Sequence, residues 1–174
     1  MKTALIVIDV QAGMFAWPEY PPFDGEFVVA RIADLIARAR QSGVPVYFVQ
    51  HDGGPDDDLH PGKPGFAFHA LIAPRDTDDV TVKRRCSSFQ GTDLDAKLKA
   101  GGIDHVVICG MQTEFCVDTA VRAAFERGYT VTLVSDAHTT MDTRVLKARD
   151  IIAHHNATLG GSFAELKHAT EVIF

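Results

Sequence analysis

The chain has 174 residues, 46% of them apolar and 23% charged, the composition of a globular domain that can bury a core without disulfides or a structural metal. Its formal net charge of −6 excludes the clustered basic face of a nucleic-acid binder, since the nearest basic run, Lys83-Arg84-Arg85, is too short to form one. Three cysteines (Cys86, Cys109 and Cys116) are an odd number, which suits reduced thiols in the cytoplasm better than a disulfide framework, and no stretch approaches the length of a membrane span.

From the N-terminus, Ala4-Leu5-Ile6-Val7-Ile8 is a continuous apolar run that stops at Asp9. It is too short for a signal core and has the signature of a strand buried on both faces. A loop with Pro18, Pro21 and Pro22 comes next. From Glu26 to Arg40 the residues Val28, Ile32, Leu35, Ile36 and Ala39 recur at helical spacing, with Gly43 as the stop. Pro45 to Gln50 reads as a second strand. Residues 51–78, rich in Gly, Pro, His and Asp, form a loop long enough to imply a function. Val80 to Lys83 is a short third strand, and Thr92 or Asp93 caps a helix that runs to about Lys99. His105 to Cys109 is a fourth strand, Thr113 to Arg127 a helix closed by Gly128, and Thr130 to Ser135 a fifth strand. Arg144 to about Asn156 is the last helix, and Glu171 to Phe174 is expected to supply a sixth, edge strand.

No repeat or linker divides the chain, so one domain over residues 1–174 is expected. Alternating strands and helices predict an α/β, Rossmann-like three-layer sandwich with a six-stranded, mostly parallel sheet. Ligands of such sheets bind outside the carboxyl ends of the strands. Asp9 ends the first strand, Lys83 ends the third, and Gly110 to Cys116 come directly after the fourth. An acid, an ammonium and a thiol therefore meet at one edge.

Cys116 lies on the first turn of its helix, where free N–H groups and the dipole favour a thiolate. With Lys83 nearby, its pKa is expected to fall from about 8.5 into the range of roughly 3.5–7.5. Asp9 is placed to take the thiol proton and return it to a leaving amine, and N–H groups around Gln112 and Cys116 to form an oxyanion hole. Taken singly, each residue has a plainer reading: a core cysteine, a turn-capping aspartate, a solvated lysine. Cys109 sits inside an apolar strand and reads as core, while Cys86, close to Lys83, is an alternative nucleophile. Cys116 to Arg122 has the C-x₅-R spacing of a cysteine phosphatase, but the intervening residues lack glycine and read as helix. His154-His155 reads as a pair of imidazoles at a helix C-terminus, and His138, at the carboxyl end of the fifth strand, has substrate contact only as its lesser reading.

Three motifs in register carry a family resemblance. The opening run with Asp9, Gln11 and Phe15 resembles the "apolar strand, D-x-Q-x-x-F" start of the isochorismatase-like cysteine hydrolases. Lys83 to Leu94 resembles their "K-x-x-x-S-A-F-x-G-T-x-L" segment, with Ser88 in place of the Ala. Gly110 to Val117 resembles their "G-x-x-T-x-x-C-V" nucleophile turn, and Ala123, Gly128-Tyr129 and Ser135-Asp136-Ala137 match the family's next segment. The resemblance implies a catalytic triad of Asp9, Lys83 and Cys116, a cis Met111–Gln112 peptide beside the oxyanion hole, and a homodimer or homotetramer.

Members that hydrolyse the vinyl ether of isochorismate generally lack the cysteine, so its presence favours the amidase branch, which cleaves small nicotinamide-, ureide- or lactam-type substrates. Vinyl-ether hydrolysis and a non-catalytic, redox-sensing role are the alternatives. The Asp-x-His metal motif of nicotinamidases is missing from Gln50-His51-Asp52-Gly53-Gly54, so no metal and no other cofactor is expected. Gln11, Phe15, Trp17, Phe89 and Gln112, from their places beside the triad, are expected to contact a small-molecule amide substrate. Phe66, Phe68 and His69 are expected in a lid or a subunit contact.

Overall fold

The computed structural model describes residues 1–174. Six parallel strands run in the order β3-β2-β1-β4-β5-β6: β1 (Thr3–Ile8), β2 (Val46–His51), β3 (Asp79–Lys83), β4 (His105–Met111), β5 (Thr130–Thr139) and β6 (Glu165–Lys167). The chain winds outward from β1 to β3, then returns to lay β4 on the other side of β1. That reversal is the point where an open parallel sheet leaves a crevice at its carboxyl edge.

Each face of the sheet buries its own core. Leu5, Val7, Phe48, Val107 and Cys109 pack against Val29, Ile32, Leu35 and Ile36 of α1 (Gly25–Gln41). Ala4, Ile6, Ile8, Val49, Val106 and Ile108 pack against α2 (Leu94–Ala100), α3 (Asp118–Glu126) and α4 (Ala148–Gly160) through Leu94, Leu98, Val121, Ala124 and Leu159. Successive residues of β1 thus serve opposite layers, which is why its run is apolar without alternation. The α/β three-layer arrangement is as expected, and the sheet is wholly parallel.

Two expected elements are corrected. The sixth strand is Glu165–Lys167, paired with Thr132 to Val134, and not Glu171 to Phe174. The final segment makes a 3₁₀ turn at Ala169–Glu171, and Arg38 of α1 donates to the carbonyls of Ala169 and Val172. With Val172 buried and those carbonyls engaged, the segment has no free edge to pair. The helix expected at 144–156 instead runs from Ala148 to Gly160. His154 and His155 therefore lie in its body, where His155 faces Asp118 at 3.2 Å.

The loop after β2 is packed rather than free. It holds 3₁₀ turns at Pro64–Phe66 and Ala70–Ile72, buries Ile72, and bridges Phe68 to Gln11. Phe68 meets Phe48 edge-on at 5.4 Å, and His69 meets Phe15 at 4.9 Å, so both anchor the loop. No helix is long and apolar enough to cross a membrane.

Candidate active site

Three strand ends deliver the site. Asp9 comes after β1 with φ at 52°, a left-handed backbone that an aspartate adopts at a cost of about 1–2 kcal/mol and that re-aims its carboxylate across the sheet edge. Lys83 ends β3, where alternation turns Thr81 and Lys83 inward and leaves Val80 and Val82 outside. Beyond β4 the Met111–Gln112 peptide is cis, Thr113–Val117 forms a single π-turn, and α3 begins at Asp118. The helix expected from Thr113 is therefore wound wide in its first turn, which carries Cys116.

Gly110 makes this delivery possible. Its φ is 126°, and a Cβ there would collide with the Ile8 carbonyl. Only glycine lets β4 press this closely on the end of β1. The β4–β5 register also shifts between Ile108 and Gly110, just before the turn that carries Cys116.

Lys83 Nζ lies 2.6 Å from Asp9 Oδ2, 3.2 Å from Cys116 Sγ and 3.3 Å from His51 Nδ1. Asp9 and Lys83 are buried, at 2% and 1% exposure, and neither carboxylate oxygen has a partner beyond Lys83 and the thiol. Burial disfavours the Lys83 ammonium, but Asp9 and Cys116 more than offset this, and its pKa lies above the ordinary lysine value. Burial raises the Asp9 pKa against the pull of Lys83. Burial, reinforced by Asp9, pushes the Cys116 thiol well up, with Lys83 opposing.

The raised thiol corrects the depressed pKa expected from the helix terminus. The wide turn gives Cys116 a buried setting beside a carboxylate, and both disfavour its charged form. Asp9 and Cys116 both face the Lys83 ammonium, and burial favours the protonated form of each. Transfer from sulfur to Asp9 keeps the pair at one negative charge throughout.

A cleft of about 230 Å³ opens onto these groups, lined by Asp9, Met14, His51, Leu59, Cys86, Gln112, Phe115 and Cys116. The Gln112 backbone N–H, at its wall, donates to no other backbone group of the chain. A second hollow shares Met14, Leu59 and Gln112 with the cleft and adds Trp17, Tyr20, Asp58 and Met141. Of the expected substrate contacts, Gln112 thus lines the cleft and Trp17 the neighbouring hollow.

The other three expected contacts do not reach the cleft. Gln11 is fully buried; its Nε2 donates to the His51 and Phe66 carbonyls, and its Oε1 accepts from the His51 N–H. Phe89 is stacked on Tyr129 in the core beneath Arg127. Phe15 packs toward α1 and His69. His138 is also enclosed: it bonds to Thr113 and Asn156, each at 2.9 Å, and braces the turn that carries Cys116. Cys109 is core, its thiol donating to the Ile6 carbonyl. Cys86 is exposed on the cleft wall, and it is Cys116, not Cys86, whose sulfur accepts from Lys83.

Four residues of the cleft, His51, Met14, Leu59 and Phe115, are not picked out by sequence motifs. For His51 a signal does exist: it stands opposite Lys83 in the β2–β3 register, at the same carboxyl edge as the triad. Asp52 next to it is engaged by His60, the Gly54 N–H and Arg84, which hold its carboxyl down at about 2. No group of three or more His, Cys, Asp or Glu side chains is gathered in a metal-binding arrangement.

A thiol, a carboxylate and an ammonium meet at the switch point of a parallel sheet, and comparison with known proteins gives the family. The Isochorismatase domain matches residues 3–157. The isochorismatase family protein YddQ of Bacillus subtilis is 34% identical over 173 residues, covering 96% of each chain. Ureidoacrylate amidohydrolase RutB of Variovorax paradoxus is 31% identical, over 78% of this chain and 68% of its own. The crystal structure of an isochorismatase from Pseudomonas putida superposes with a TM-score of 0.93 at 30% identity, covering 99% of this chain and 90% of that one. The chain belongs to the isochorismatase family of hydrolases.

Proposed function

We propose that this protein is a cysteine-dependent amidohydrolase that cleaves the C–N bond of a small amide through a thioester on Cys116. The observation that carries this reading is the contact of one buried ammonium with both a carboxylate and a thiol that opens on a cleft. The amidohydrolase among its relatives supports the same bond class.

In the first half-reaction the Cys116 thiol gives its proton to Asp9 as sulfur attacks the amide carbonyl carbon. The Gln112 and Cys116 N–H groups take the charge on the carbonyl oxygen. Collapse of this intermediate breaks the C–N bond, and Asp9 passes its proton to the departing nitrogen. In the second half, Asp9 removes a proton from water, hydroxide adds to the thioester, and the thiol leaves with that proton. Lys83 stays an ammonium throughout and holds whichever of its two partners is negative.

A hydrolysis screen that reads ammonia from primary amides and ureides and the freed amine from lactams, run beside Cys116→Ser, tests the reading. Turnover by the wild type that the variant lacks is expected. Equal turnover by both proteins, or pyruvate release from a vinyl ether in place of amide cleavage, contradicts it. The protein is also proposed to work as a homodimer or homotetramer in the cytoplasm.

A further inference from the structure

His51 has no part in the steps above, yet it touches their central cation. An ammonium has three donors and no acceptor, and Lys83 Nζ has three neighbours in reach: Asp9, Cys116 and His51 Nδ1. With three protons directed to three acceptors, Nδ1 can only accept. The imidazole is therefore neutral and carries its proton on Nε2.

Two features hold the ring in this place. His51 is opposite Lys83 in the β2–β3 register. Its backbone is clamped on both sides by the buried Gln11 side chain, which accepts from the His51 N–H and donates to its carbonyl. The ring lines the cleft with Asp9, Gln112 and Cys116, and Nδ1 is the ring nitrogen turned to Lys83, which leaves Nε2 for a ligand.

We infer that His51 is a positioning residue for Lys83 whose Nε2–H reads a hydrogen-bond acceptor on the substrate beside the scissile bond. This rests on the amidohydrolase reading and narrows it. The favoured substrates are amides with a second acceptor next to the reacting carbonyl, such as a ureide or imide carbonyl or a ring nitrogen, and plain alkyl amides are poor ones.

Charge around the ring agrees. Burial and Lys83 both push the His51 pKa down, while Asp9 across the site and Asp52 and Asp57 in the loop after β2 oppose them. Cys116, from the turn after β4, completes the set of titratable groups facing the ring through Lys83. Protonating the ring would set two cations 3.3 Å apart and remove an acceptor from Lys83.

Ring-¹⁵N NMR of the full chain tests the placement without any substrate, with His51→Asn to assign the signals. The expected result at neutral pH is an unprotonated Nδ1 and a protonated Nε2, with the Nδ1 signal shifted in Lys83→Met. A proton on Nδ1, or a doubly protonated ring, overturns the inference.

Kinetics test the substrate class. In His51→Asn the side-chain oxygen still accepts from Lys83 but the Nε2 donor is gone, so KM for acceptor-bearing amides rises roughly tenfold with kcat little changed. In His51→Gln a donor stands near the Nε2 position and the Lys83 acceptor is lost, so kcat falls and KM holds. Identical losses in both variants, or a tenfold rise in KM for plain amides as well, overturn the reading of Nε2–H. An Nε2–H ring in a protein that hydrolyses no amide would remove the proposed function and leave the His51 placement standing.

Discussion

Single atoms decide the site. Removing the Lys83 charge by Lys83→Met leaves Asp9 buried and unpaired, which costs about 3–5 kcal/mol while it stays ionised. Burial already raises the Asp9 pKa, and without Lys83 it rises further. The folded variant then binds a proton that the unfolded chain has released above its ordinary 3.8, so stability falls as pH rises. Urea unfolding is expected to show the largest deficit near pH 8 and a shrinking one as pH drops toward about 4. A pH-independent deficit contradicts the buried-pair account. Ser88 offers the opposite case. Its hydroxyl is fully buried with no partner, at a position where the resembling motif has alanine. Ser88→Ala is expected to raise stability by about 1 kcal/mol, read as a higher urea midpoint at unchanged slope. The meeting of Asp9, Lys83 and Cys116 at one edge is legible in the sequence because strand ends are visible as the last residues of apolar runs. Gln11 and Phe89 mislead because nearness in sequence to a reactive group does not reveal which way a side chain points. Both turn into the interior, one to clamp His51 and one to fill the core.

At the scale of elements, the site depends on where β4 lets go of the sheet. Gly110→Ala would drive a methyl into the Ile8 carbonyl at a backbone angle that L-residues avoid. Loss of several kcal/mol is expected, together with loss of any activity, because the strain falls between the Asp9 and Cys116 segments. A variant that unfolds like the wild type contradicts the close approach of β1 and β4. Element order, the buried β1 and the helix of Glu26 to Arg40 can be read from periodicity, since each repeats one spacing over several residues. The short β6 cannot, because Glu165-Leu166-Lys167 carries no strand pattern and is recruited by the exposed edge of β5. The π-turn is equally hidden: its residues fit a helix, and only the fixed ends at Gln112 and Asp118 widen the winding.

Across the whole molecule, both cores share one sheet, so the single domain expected over residues 1–174 should unfold in one cooperative transition that circular dichroism and tryptophan fluorescence report together. Acid should weaken this unit through His138, which ties β5 to the turn that carries Cys116 and to α4. Burial holds its pKa down at about 4, against 6.5 when unfolded. The unfolded chain binds the extra proton between those values, so His138 supports the fold fully above 6.5 and loses its contribution, on the order of 3 kcal/mol, as pH falls toward 4. His138→Gln should flatten stability over that window.

In the proposed reaction Cys116 attacks carbon while Asp9 carries the proton and Lys83 holds the charge. Its most direct test is the intact mass of the protein, acid-quenched during turnover of an amide found by the hydrolysis screen, then peptide mapping. An acyl adduct on Cys116 is expected to accumulate in wild type and to be absent from Cys116→Ser. An adduct on Cys86, or ammonia released with no adduct on sulfur at any quench time and full activity in Cys116→Ser, would contradict it.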